Sequence, residues 1–163
     1  MRVATHPSQG FRITARSPGL SHVPEVARGV LFDRIMKLRE LMKSPVTVDE
    51  DTPLGEVQAR MRAQHVRHVP VVVDGELRGM ISDRDIYCYR ALMSNEIDWE
   101  RSPAKWAMVT AMQVADPDDA LADVAHRLSD APLAAMPVVD HGKLVGLVTA
   151  NDVIEAQVRA AMA

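Results

Sequence analysis

One stretch of this chain is written twice at a fixed spacing. Val71-Val72-Val73-Asp74-Gly75-Glu76-Leu77-Arg78-Gly79-Met80-Ile81-Ser82 aligns without a gap on Val138-Val139-Asp140-His141-Gly142-Lys143-Leu144-Val145-Gly146-Leu147-Val148-Thr149. Pro70 matches Pro137, Asp85 matches Asp152 and Leu54 matches Leu121, each pair 67 residues apart. A period this regular means two copies of one supersecondary unit. A unit of roughly 60 residues buries too little surface to stand comfortably alone, so the copies are expected to pack face to face about a pseudo-twofold axis, with clefts between them in pairs.

Each copy reads as strand, helix, strand, strand, helix, a mixed α+β (β-α-β-β-α) arrangement. A short strand, Val46 to Val48 or Val114 to Ala115, leads into an acidic turn. Thr52 is a candidate N-cap with Pro53 at the first helical position, and Leu54, Val57 and Met61 follow at helical spacing, as do Leu121, Val124 and Leu128. Strands starting at Pro70 and Pro137 turn back at Asp74-Gly75 and His141-Gly142, and end at Ser82 and Thr149, where a final helix starts. The expected organisation is a flexible, mildly basic tail over 1–35, a first repeat over 36–93, a linker over 94–105 and a second repeat over 106–163. A transit peptide or an over-extended start are alternatives for the tail. Trp99 and Trp106 are expected to cover the seam between halves.

Composition narrows the function classes. Two Phe, two Tyr and two Trp stand against ten Met, so a stacking platform for nucleic acid is not expected, and a net charge of −3 invites neither a polyanion nor an anionic membrane. The longest apolar run stops at Asp74, far short of the roughly 20 residues of a membrane span. Cys88, the single cysteine, cannot form an intramolecular disulfide and is expected to be buried, which suits a reducing, cytoplasmic setting. His65, His68, His126 and His141 lack the partners of a metal site, and Ser82 and Thr149 lack a base and an orienting acid, so neither a metal centre nor nucleophilic catalysis is expected.

The strongest chemical signal is Gly79-Met80-Ile81-Ser82-Asp83-Arg84-Asp85, repeated as Gly146-Leu147-Val148-Thr149-Ala150-Asn151-Asp152. A hydroxyl at a helix N-cap leaves amides and the positive end of the helix dipole facing outward, a site for phosphate. The carboxylate three residues on is acceptor-only and suits ribose hydroxyls. The same pattern is also a helix capping motif. Recurrence after the same hairpin, with the same preceding glycine, favours binding over capping alone.

Taken together, His65 to Ile86 and Met136 to Val153 resemble a tandem pair of CBS (cystathionine-β-synthase) domains, a Bateman module, over about residues 36 to 160. The resemblance implies two repeats about a pseudo-twofold axis, frequent homodimerisation, and binding of AMP, ADP, ATP or S-adenosylmethionine. It implies ribose contacts from Asp85 and Asp152, and phosphate contacts from Ser82, Arg84, Thr149, Arg67 and His68. Val46, Thr47, Gln113, Val114, Ala135 and Met136 would lie about the base. By crossed packing, the Thr149–Asp152 cleft is expected to borrow Val46, Thr47, Arg67 and His68. The Ser82–Asp85 cleft would borrow Gln113, Val114, Ala134, Ala135 and Met136. Since Ala134 and Ala135 stand where the first repeat has Arg67 and His68, the Asp152 cleft is expected to be the stronger. The expected function is a non-enzymatic sensor that signals to an effector protein in trans. A structural or dimerisation module with no nucleotide ligand is the alternative, and a small nucleotide hydrolase is disfavoured for want of a water-activating group.

Overall fold

The structure, a computed structural model, describes residues 37–93, 97–130 and 134–162. The tail expected over 1–35 and part of the linker lie outside them. The first copy contributes helix α1 (Leu54–Ala63), strands β1 (His68–Val73) and β2 (Glu76–Ser82) and helix α2 (Asp83–Leu92). The second contributes α3 (Leu121–Asp130), β3 (Ala135–Asp140), β4 (Lys143–Thr149) and α4 (Ala150–Met162).

The hairpins form where the turn chemistry places them. Asp74 and His141 take φ of 53° and 46°, and Gly75 and Gly142 follow at 79° and 81°, the two successive positive φ angles of a tight turn that suits twisted strands. A register shift after Val71 recurs after Val138, so the copies match even in their irregularity. The two hairpins join into one antiparallel sheet of order β1-β2-β4-β3. That palindrome is the pseudo-twofold arrangement expected from the repeat. Its centre is thin: Glu76 pairs with Lys143, the Leu144 amide donates to the Gly75 carbonyl at 3.0 Å, and Lys143 Nζ donates to the Asp74 carbonyl at 2.6 Å.

Several local expectations shift. The strands begin at His68 and Ala135, not at the prolines. Pro70 and Pro137 fall inside the outer strands, where a missing N–H costs no bond within the hairpin, and their carbonyls accept from the amides of Val48 and Ala115. Val46 to Val48 and Val114 to Ala115 are extended segments that touch the sheet through single parallel bridges, Val48 to Val71 and Ala115 to Val138. Thr52 does not cap α1. Pro53 is the capping residue, Thr52 Oγ1 accepts from the Asp49 amide at 3.1 Å, and the Leu54 amide is satisfied by the Ser102 carbonyl at 2.8 Å. Cys88 is exposed, because α2 turns Ile86 and Tyr89 inward and leaves position 88 on the outer face.

Two apolar cores result, and each is completed by a segment preceding the other copy. Leu38, which is fully buried, joins Leu121, Val124, Val138 and Val148 in the second core, with Leu41 and Met42 beside it. Ala104 joins Leu54, Val57, Val69 and Ile81 in the first, with Trp99, Ala107 and Met108 packed on it. The exchange is anchored by backbone pairs: Leu38 to Asp119 and Ala104 to Thr52, then Lys43 to Leu147 and Val109 to Met80. Trp99 thus covers the first core, its ring 4.4 Å from the Arg90 guanidinium, whereas Trp106 is 61% exposed and covers little.

Candidate functional site

The two repeated motifs fold into matching helix caps. Ser82 caps α2: its hydroxyl accepts from the Asp85 amide at 3.2 Å and donates to Asp85 Oδ2 at 2.5 Å, while its own amide donates to that oxygen at 2.8 Å. Thr149 and Asp152 repeat this at 3.3, 2.6 and 2.8 Å. The capping pattern is therefore realised in both copies, and the hydroxyl is already engaged by its carboxylate. Each Asp keeps one further oxygen, Oδ1, for another partner.

At that oxygen the copies diverge. Asp152 is only 6% exposed, and its Oδ1 forms an ion pair with the Lys43 ammonium. Burial disfavours this carboxylate, but the Lys43 and Thr149 hydrogen bonds and the lysine charge outweigh that cost and hold its pKa below the ordinary range; Lys43 is correspondingly raised, chiefly by its hydrogen bond to Asp152. Asp85 is half-buried, and among the described residues it has no cationic partner.

The cationic side chains are not where crossed packing placed them. Arg67 and His68 stand at their own copy's cap. His68 lies opposite Ser82 in the hairpin, the Asp83 amide donates to the Arg67 carbonyl at 3.1 Å, and Arg67 Nε lies 3.7 Å from Asp83 Oδ2. Ala135 likewise faces Thr149, and Ala134 accepts from the Ala150 amide. The physical reason is simple: a hairpin closes on itself, so residues that start one strand meet the residues that end the next. Arg67, His68 and the exposed Arg84 therefore stand not at the Thr149–Asp152 cleft but at the Ser82–Asp85 cap. An open groove of about 420 Å³ adjoins it between α1 and α2, lined by Met61, Arg62, His65, Arg67, Asp83 and Tyr87.

What crosses between copies is the segment before each parallel bridge. Residues 43–48, including Val46 and Thr47, run from Leu147 beside the Asp152 cap to Val71 of the first copy. Residues 109–115, including Gln113 and Val114, run from Met80 beside the Asp85 cap to Val138. Val46, Thr47 and Val114 are half-buried and Gln113 is exposed. Ala135 and Met136, expected at the first cleft, lie in their own copy's strand, and Met136 is a core side chain.

Three side chains at these sites escaped the sequence reading. Arg60 and Arg127, again 67 apart, each donate through Nη1 at 3.2 Å to the carbonyl of the matched crossing residue, Thr47 or Val114, and each is held by an acid, Glu56 or Asp119. The repeat spacing alone was sufficient to flag them. Lys43 carried no such signal, because its structural counterpart is Val109.

Burial pushes the His68 pKa below its usual value, against the pull of Asp83 and Asp85. A depressed histidine pKa contributes stability above the unfolded value of about 6.5 and loses it as the pH falls through the folded value. Urea midpoints of the ligand-free protein are accordingly expected to drop as the pH falls below about 6.5, and less steeply in His68→Gln; parallel profiles would refute this. Among the described residues no cluster of three or more His, Cys, Asp or Glu is placed to hold a metal, and no helix is long and apolar enough to cross a membrane.

With this geometry in place, comparison with known proteins is direct. The family model for the CBS domain matches residues 38–91 and 106–159. The CBS domain-containing protein YhcV of Bacillus subtilis is 28% identical over 106 residues, which is 65% of this chain and 74% of that protein. Similar solved structures include CBSX2 in complex with AMP (TM-score 0.66, 24% identity, 77% of this chain and 98% of that one). Another is the CBS domain pair of protein MJ0100 in complex with 5-methylthioadenosine and S-adenosyl-L-methionine (TM-score 0.65, 24% identity, 74% and 94%).

Proposed function

The chain belongs to the CBS-domain family, and from that premise we propose that it is a regulatory module that binds an adenosine-containing ligand at the Asp85 cap and passes the change to an effector protein in trans. CBS pairs of similar fold are described in complex with AMP or with S-adenosylmethionine, which supports the ligand class. One observation carries the choice of cleft. Among the described residues Asp85 Oδ1 has no cationic partner, although Arg67, His68 and Arg84 stand at the same cap, whereas Asp152 is already paired. In this reading Asp85 Oδ1 accepts from the ribose hydroxyls. The outward amides at the start of α2 and the nearby cations meet a phosphate, and the backbone of the 109–115 segment lies against the base.

A ligand held between a hairpin of one copy and a crossing segment of the other biases how the copies sit. It shifts that equilibrium only as far as it prefers one arrangement. The chain is proposed to work as a cytoplasmic homodimer. Tyr87 and Ile154, at matched positions 67 apart, are 63% and 56% exposed on α2 and α4, and Val158 one turn on is 53% exposed. This apolar stripe supports self-association of the helical face.

Titration calorimetry with AMP tests the reading. Asp85→Ala is expected to weaken binding at least tenfold while Asp152→Ala leaves it within twofold. Saturating AMP at about 100 times its Kd stabilises the wild-type fold by about 2.7 kcal/mol. The alternative of a dimerisation module with no ligand is favoured by one fact, that both hydroxyls are consumed in their caps. It predicts no heat and no stabilisation with AMP, ATP or S-adenosylmethionine at millimolar concentration, and that outcome would overturn the sensor reading.

A further inference from the structure

We infer that Lys43 is a built-in plug of the second cap, so that this chain takes one adenosine ligand where its repeated architecture lays out two. The inference rests on the proposed ligand class but on a different observation, the side chain that each crossing segment brings to the opposite cap. Segment 37–43 docks on the second copy. The Lys43 amide donates to the Leu147 carbonyl at 3.0 Å and the Leu147 amide to the Lys43 carbonyl at 2.9 Å, two residues before Thr149. Segment 104–109 makes the same pair with Met80, at 2.8 and 3.0 Å, two residues before Ser82. Met42 approaches Gly146 as Met108 approaches Gly79, so the frames superimpose residue for residue. The occupant of the final position then decides the chemistry: a lysine at the second cap, Val109 at the first.

The ammonium takes the one Asp152 oxygen that the cap leaves over, the oxygen a ribose hydroxyl requires. The carboxylate is buried while most of the Lys43 side chain is exposed, so the lysine stem lies on the solvent side of the acid it covers. Ala134 and Ala135 stand here in place of the arginine and histidine of the first copy, so the second cap lacks those two side chains as phosphate partners. Lys43 thus meets the charge requirement of Asp152 from within the chain. A ligand there must first break an ion pair whose carboxylate is nearly dry. Val109 offers no such competitor to Asp85.

Calorimetry with AMP on full-length wild type, Lys43→Val, Lys43→Val/Asp85→Ala and Val109→Lys tests the inference, each variant checked by its urea transition. The wild type is expected to bind one AMP per chain. Lys43→Val, which copies the first cap, gains a second binding event that persists when Asp85 is removed. Val109→Lys weakens the single site at least tenfold. Two equivalent sites in the wild type, loss of binding in Lys43→Val, or no gained site in that variant would each overturn the plug. Absence of wild-type binding together with a gained site in Lys43→Val would instead overturn the proposed Asp85 site and leave the plug standing.

Discussion

Leu38→Ala is expected to destabilise the protein by about 2–5 kcal/mol, the cost of leaving a leucine-sized void in a packed core. Leu38 is fully buried and lies among Leu121, Val124 and Val138, 83 to 100 residues further along the chain. Its neighbours cannot compensate. The pairs that Lys37 and Arg39 make with Asp118, at 2.8 and 2.7 Å, are half-exposed and screened by solvent, and contribute little. Collapse around the void is resisted because the Leu38 amide is fixed to the Asp119 carbonyl at 3.1 Å. Urea unfolding followed by far-UV circular dichroism gives the loss directly. Tryptophan fluorescence adds a second reading, because Trp99 sits on the first core and Leu38 in the second. Coupled cores give coincident transitions at the lowered midpoint. A loss below about 0.5 kcal/mol would mean that segment 37–43 does not belong to the folded core.

Gly79→Val is expected to cost about 1–3 kcal/mol through overpacking and to loosen the first core's borrowed segment. A Cβ at position 79 would stand 2.8 Å from Met108 Sδ, 3.0 Å from Met108 Cγ and 3.0 Å from the Val109 carbonyl oxygen. A thioether can swing away, but that carbonyl cannot. It accepts from the Met80 amide at 3.0 Å, and this bond with its reciprocal is what holds segment 104–109 to β2. At Gly146 the three nearest atoms are Met42 Sδ, Cβ and Cγ, with no carbonyl among them, so Gly146→Val is expected to cost less than Gly79→Val despite the matched position. Equal losses, or the reverse order, would show that the backbone contact is not the limiting one. The segment's release is read as a red shift of Trp99 emission as the Arg90 stack is lost.

Much of this architecture was legible because repetition makes weak signals strong. Asp74-Gly75 alone suggests a turn; the same turn 67 residues later, after the same proline and before the same glycine, fixes a hairpin and its register. The symmetry of the sheet followed from there being two such hairpins in one short chain. What the sequence did not show was which contacts cross between copies. Arg67 and His68 were expected across the interface, yet a hairpin holds them beside Ser82 by local geometry. The residues that do cross, Leu38 and Lys43, precede the repeat's recognisable core, and at their counterparts Ala104 and Val109 the spacing slips by one residue, which hides the match. Thr52 and Cys88 failed for a related reason: the first helix draws its amide partner from Ser102, far along the chain, and a lone cysteine on a helix carries no periodic neighbour that tells its face.

The exchanged leading segments also impose an order on synthesis. At 5–20 residues per second, roughly ten seconds separate the emergence of Leu38 from that of the last strand and helix of the core it completes. The first core is served sooner, since Ala104 and Met108 follow its own helices and strands within about twenty residues. The nascent chain therefore closes its later-borrowing half first and carries an unpaired apolar segment, Leu38 to Met42, until translation is nearly finished. A chain stalled after Val109 has emerged, but before the second copy, holds a finished first core and an exposed Leu38, a species in which a neighbouring ribosome's second copy is as good a partner as its own.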